Sequence, residues 1–188
     1  MTRMKRWTTA TLLGVALLAV ATVQAQQGAA PTTLTTLTAL DYFEIQQLNE
    51  RYVHAIDNCI ENGYEYASLY TRDGVFIDLW SDAGVKAGGI RHEGPAKLME
   101  VSGGGTQGCK GWVRRGAALS YMITGLVISP SPEGAVGKAY LFAVGVGGDP
   151  RAIEREGSYE DTYVKTPEGW RFKVRAHIRK RELGDPRS

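Results

Sequence analysis

Residues 37–57, LTALDYFEIQQLNERYVHAID, constrain this chain more than any other stretch, because they read as one helix with a marked start and one apolar face. Thr38 is placed to cap the first turn. Asp41, three residues on, is placed to return the bond as a capping box, with Leu37 and Tyr42 at the positions of a hydrophobic staple. Tyr42, Ile45, Leu48, Tyr52 and Ile56 recur at steps of three and four and so share a face. That stripe needs a cover, and the later chain offers strands large enough to supply it. Asn62 and Gly63 carry the stop signals. Asp57, one residue past the last apolar anchor, is placed to look into a cavity roofed by the helix; the alternative is a solvated helix end.

The remaining elements follow from periodicity and punctuation. Residues 64–70 read as a second short helix, Thr71 to Gly74 as a break, and 75–80 as a first strand. Residues 81–89 read as a Gly-rich hairpin loop, 90–92 as a brief strand, and 95–101 as a third helix opened by Pro95. Ser102 to Gly105 follow a helix instead of leading into one, so they read as a linker or mobile lid and not as a phosphate cradle. Four strands come last, at about 117–128, 135–146, 155–165 and 170–179. Helices first and an antiparallel meander last give an α+β class.

The first 25 residues do not belong to that fold. Arg3, Lys5 and Arg6 precede an apolar run from Leu12 to Val23, and Val23-Gln24-Ala25 resembles a processing site, so a cleavable signal peptide is expected. The run is too short for a membrane span. The expected plan is a leader at 1–25, a flexible linker at 26–37, one domain at 38–182 and a tail at 183–188, in a periplasmic or secreted protein with no stable membrane anchor after processing. The leader takes away three of the 22 Lys and Arg and none of the 20 Asp and Glu, which leaves 19 positive and 20 negative side chains, a net charge of −1. That balance does not favour nucleic acid as a partner. In an oxidising compartment Cys59 and Cys109 present two readings, one disulfide or two free thiols. Two cysteines and three scattered histidines give no metal-ligand spacing.

The helix at 40–57, the strand Val75-Phe76-Ile77-Asp78, the Gly94-Pro95 helix start and the ending Gly157-Ser158-Tyr159-Glu160-Asp161-Thr162-Tyr163 followed by Glu168-Gly169-Trp170-Arg171-Phe172 together resemble the SnoaL-like branch of the NTF2-like superfamily. The similarity covers about residues 38–180. It implies a cone, a strongly curved and mostly antiparallel sheet wrapped around the long first helix with a pocket between. It further implies cofactor-free proton transfer in that pocket, as in the scytalone dehydratase, ketosteroid isomerase and diarylpropane lyase relatives, or ligand binding alone. Asp57 matches the helix-end aspartate of the dehydratase's His–Asp dyad, whereas the position of the partner histidine is held by Tyr121. The dyad itself is therefore missing.

Strand parity sorts the other candidates, since alternate residues share a face. Tyr121 carries Leu119 and Ile123 with it, and Tyr159 carries Asp161 and Tyr163. Asp57, Tyr121 and Asp161 are thus the expected catalytic groups, a buried carboxylate acting as base and a tyrosine hydroxyl as donor to a developing oxyanion. Tyr52, Trp80, Tyr159, Arg115 and His177 are the expected substrate-binding residues. His177 shares its face with Arg171, Lys173 and Arg175 by the same rule. His54 lies opposite the apolar stripe, and His92 sits beside a turn with no role assigned. The expected activity is that of an exported lyase, dehydratase or isomerase acting without cofactor on an aromatic or polycyclic small molecule. The alternative is a binding or interaction module with the same fold. A homodimer or homotrimer is the expected assembly, by analogy with the superfamily.

Overall fold

The capping box forms as the residues dictate. Thr38 Oγ1 accepts from the Asp41 backbone N–H at 3.2 Å, and Asp41 Oδ2 accepts from the Thr38 N–H at 2.8 Å, which fixes the start of helix α1, Ala39–Asn58. The computed structural model describes residues 36–109, 119–145 and 153–179. Residues 1–35, which contain the expected leader and most of the linker, lie outside these. So do Arg115 and the tail.

Along α1 the inward stripe is Asp41, Ile45, Leu48, Asn49, Tyr52, Ala55 and Ile56, while Tyr42 is exposed. Either residue could have opened the stripe one turn before Ile45. Asp41 takes the position because its carboxylate is gripped from the far end of the chain, by Lys165 Nζ at 2.6 Å and Trp170 Nε1 at 3.0 Å. These bonds, that of Lys165 foremost, hold its pKa well below the ordinary carboxylate value. The helix ends at Asn58, one residue past the expected close at Asp57; its C-cap Cys59 adopts a left-handed conformation and is followed by a 3-10 turn at Ile60–Gly63.

Beyond α1 come α2 (Tyr64–Ser68), β1 (Tyr70–Leu79), α3 (Asp82–Lys86), β2 (Ile90–Glu93) and α4 (Gly94–Val101), then β3 (Leu119–Ser131), β4 (Gly134–Gly145), β5 (Ile153–Thr166) and β6 (Gly169–Arg179). The expected break at 71–74 is instead an irregular stretch inside β1, and the expected hairpin loop at 81–89 holds the short helix α3. One six-stranded sheet has the order β2-β1-β6-β5-β4-β3, antiparallel throughout except for the parallel pair β1–β6. A register shift in β3 between Thr124 and Val127 contains Gly125 at φ 64°, a bulge conformation that glycine adopts without the Cβ penalty.

The inner face of the sheet and α1 enclose the core. Its fully buried members include Ile45, Tyr52, Tyr66, Leu69, Leu98, Leu141, Tyr163 and Phe172. On the outer face Met122, Val127, Val136 and Tyr140 are exposed. Among the described residues no helix is long and apolar enough to cross a membrane.

The segment after α4 is a fixed rim, not a lid. Ser102, Gly103 and Gly104 are buried, and a Cβ on Gly104 would stand 2.0 Å from the Asn62 carbonyl oxygen, so only glycine allows this approach. A disulfide between Cys59 and Cys109 ties the same segment to the end of α1. It closes a loop with a sequence separation of 50. A closed loop of that length restricts the unfolded chain by about 4 kcal/mol in the chain-entropy account. The Cys59→Ser, Cys109→Ser double variant should therefore lose about 2–4 kcal/mol in urea unfolding. An unchanged midpoint would mean that the bond does not constrain the unfolded state.

Candidate active site

Between α1 and the sheet lies a cavity of about 600 Å³. Its wall takes Tyr52 and Ile56 from α1, Phe76, Asp78 and Trp80 from β1 and the turn after it, and His92 from β2. Tyr121 comes from β3, Arg155 and Tyr159 from β5, and His177 from β6. Glu100, Gly103 and Gln107 close one side from α4 and the rim. Strands β2 and β3 are the two edges of the sheet, yet both reach this cavity. The sheet is therefore bent over it, as a cone requires.

Seven lining residues present rings to the cavity, Tyr52, Phe76, Trp80, His92, Tyr121, Tyr159 and His177. Trp80 stacks on His177, with ring centroids 5.8 Å apart and planes 11° from parallel. The Tyr52 and Tyr159 hydroxyls meet at 3.0 Å, and burial pushes both phenols above their ordinary pKa, so they stay protonated. Tyr121 is buried as well, with its pKa raised by desolvation, and its hydroxyl accepts a bond from Arg155 Nη1 at 2.7 Å. That bond draws electron density from the phenol oxygen and makes its proton a better hydrogen-bond donor.

The polar members differ in what they can do. Asp78 is held by the turn that ends β1: its Oδ1 accepts from the N–H groups of Trp80 and Ser81 at 2.8 and 2.9 Å, and its Oδ2 accepts from the Ser81 hydroxyl. Burial raises its pKa, but the bonds from Ser81 and Trp80 outweigh burial and leave it lowered. His92 is half-buried, and desolvation lowers its pKa, so its imidazole is neutral near pH 7. His177 is buried, and desolvation together with the Arg155 charge brings its pKa down to about 3. Its Nε2 is shut off from solvent and has no hydrogen-bond partner among the described residues. Among the described residues no group of three or more His, Cys, Asp or Glu is arranged to hold a metal ion.

Tyr52, Trp80, Tyr121, Tyr159 and His177 thus meet at one cavity. Asp161 does not join them. It shares the inward face with Tyr159 and Tyr163, as parity requires, but sits further along β5, beneath the cavity floor. There it forms a fully buried ion pair with Arg175. Asp57 does not line the cavity either. Both of its oxygens accept from the backbone N–H of Tyr121 at 3.2 Å, and half-burial raises its pKa to about 6. It therefore pins β3 to the end of α1 and positions Tyr121.

His177 faces inward for a reason that strict alternation does not reveal. A register shift between β5 and β6 pairs Tyr163 with Phe172 but Thr162 with Val174. The extra residue flips parity, so Trp170 and Phe172 point inward before it, and Arg175 and His177 point inward after it. Asp78, His92 and Arg155 are wall residues that carried no assigned role in the sequence. Parity held their signal: Phe76, Asp78 and Trp80 alternate along β1, His92 pairs with Phe76, and Arg155 stands two alternations before Tyr159.

A family model described as a SnoaL-like domain matches residues 37–176. Among solved structures, a protein of unknown function from Mycobacterium tuberculosis aligns with 21% identity over 79% of this chain and 77% of its own, at TM-score 0.62. An NTF2-like protein with a cystatin-like fold from Novosphingobium aromaticivorans aligns with 17% identity over 79% and 87%, at TM-score 0.61. A protein from Catenulispora acidiphila in complex with S-DNPA aligns with 22% identity over 74% and 95%, at TM-score 0.56. At these identities the likeness is one of fold. No curated protein matches the sequence.

Proposed function

The chain belongs to the SnoaL-like domain family, and from that premise we propose that it is an exported lyase or isomerase that works without a cofactor on an aromatic or polycyclic small molecule. The observation that carries this reading is the meeting of a neutral imidazole, His92, and a polarised phenol, Tyr121, on one aromatic-walled cavity. The cavity has the volume of a small-molecule site and the few placed polar groups that such sites use. The structural neighbour that holds S-DNPA is in keeping with a ligand in this fold.

In the proposed reaction His92 removes a proton from carbon next to a ring-bound carbonyl. The electron pair moves toward the carbonyl oxygen, where Tyr121 donates a hydrogen bond to the growing negative charge. For elimination, the pair returns to form the new double bond as a β-hydroxyl leaves, taking the proton from His92 as water. For isomerisation, the same proton returns to a different carbon. Export rests on the leader read in residues 1–25.

An assay of the purified domain with aryl β-hydroxyketones tests the reading. The wild type should release water, Tyr121→Phe should lower kcat by about 10²-fold, and His92→Gln by about 10²–10⁴-fold. Turnover that both variants retain would remove these residues from the chemistry. Tight binding of the same compounds with no turnover would favour the binding module instead.

A further inference from the structure

The cavity wall carries a cation, Arg155, that forms no ion pair among the described residues. Arg155 lies with its guanidinium carbon 4.8 Å from the centroid of Trp80 and 5.7 Å from that of Tyr121. Among the described residues Arg155 donates to the Tyr121 hydroxyl alone, which leaves four of its five N–H groups. Among the described residues no carboxylate stands within ion-pair distance of it, whereas Arg175 has Asp161 and Arg179 has Asp82. The two acids on the same wall are engaged elsewhere, Asp78 by Trp80 and Ser81, and Glu100 by Lys97.

A planar anion on a ring would pair with this cation. A carboxylate accepts two parallel bonds from a guanidinium fork, and the ring that bears it finds the faces of Trp80, Tyr121 and Tyr159. We propose that the natural ligand is an aromatic carboxylate gripped by Arg155, with Tyr121 left to face the reacting carbonyl. The inference rests on the cavity being the ligand site, as proposed above. Arg155 thereby sets specificity: a neutral ligand of the same shape leaves a desolvated guanidinium unpaired.

The test compares two probes of equal shape, 2-naphthoate and 2-naphthamide, by calorimetry near neutral pH at fixed ionic strength. The wild type should bind the carboxylate at least about tenfold more tightly than the amide. Arg155→Gln should bring the two within about threefold, while Arg155→Lys, which keeps the charge and loses the fork, should fall between. Amide affinity should hold or rise in Arg155→Gln, which removes the guanidinium that a neutral ligand leaves unpaired. Equal wild-type affinity for the two probes overturns the carboxylate inference and leaves the cavity as a ligand site. A preference that survives Arg155→Gln overturns the role of Arg155. Failure of both probes to bind sinks the cavity reading along with this one. Should Arg155→Gln not fold, as judged by its unfolding midpoint, the wild-type preference and the Arg155→Lys value decide.

Discussion

Asp161→Ala should cost the folded domain about 3–5 kcal/mol, because it leaves a guanidinium buried with no counter-charge. Arg175 is fully buried and receives Asp161 side-on, Nε to Oδ1 and Nη2 to Oδ2, both at 2.8 Å. Tyr163 donates to the same carboxylate at 2.7 Å, and Asn49 accepts from Arg175 while donating to Tyr163. The rings of Tyr52, Tyr159 and Phe172 lie 4.0–4.2 Å from the guanidinium carbon. They face a cation whose Nη1 has no conventional acceptor among the described residues. For a domain of this size the loss corresponds to a fall of roughly 8–16 °C in Tm. The pair as a whole is another matter, since an ion pair inside a protein gains little over well-packed apolar groups of similar volume. The Asp161→Leu, Arg175→Met double variant should therefore recover most of what either single variant loses. A double variant that loses the sum of the two singles would show that the network is held by independent bonds and not by charge pairing.

The second large effect is pH-dependent. The His177 pKa is brought down to about 3 by desolvation and by Arg155, against 6.5 for the free side chain. Between these values the unfolded chain binds a proton that the folded protein does not, so stability must fall as pH drops from 6.5 toward 3. The full shift corresponds to a ceiling of about 4–5 kcal/mol. The charged groups facing His177 are Arg155, Arg175 and Asp78, and the two arginines outweigh the carboxylate. His92 acts in the same direction, with a smaller weight because it is half-buried. Asp57 acts in the opposite direction: its pKa is raised to about 6, so the folded state keeps its proton and gains stability as pH falls from 6 toward 3.8. Asp57 is half-exposed and screened by solvent, so His177 dominates. Urea midpoints measured for the wild type between about pH 7 and pH 4 should fall steeply, and His177→Gln should flatten that fall. Equal slopes would mean that His177 is not held neutral by burial.

The legible parts of this fold are those set by near neighbours. The capping box at Thr38 and Asp41, the stripe at Ile45, Leu48, Tyr52 and Ile56, and the last four strands all follow from local pattern. Tyr42 misled because two residues could open the stripe, and the choice was made by Lys165 and Trp170 from more than 120 positions away. The parallel pairing of β1 with β6 and the parity flip within β6 are likewise tertiary, since a bulge leaves no mark in an alternating pattern. Within the site, parity placed Tyr121 and Tyr159 on the inner face but not their depth along the strand. Depth is what separates Tyr159 on the cavity wall from Asp161 in the Arg175 pair. Arg155 and His92 were within reach of the same rule, applied four residues backward along β5 from Tyr159 and across from Phe76.

The most direct measurement is a long-range ¹H–¹⁵N correlation spectrum of the histidine side chains, recorded while 2-naphthoate is added to the wild-type protein. The account predicts that the His92 and His177 resonances move together as the site fills, that His54 on the exposed face of α1 stays still, and that ligand protons show contacts to Trp80 and Tyr159. Movement confined to His54, or ligand contacts only to Val127, Val136 and Tyr140 on the outer face of the sheet, would contradict it.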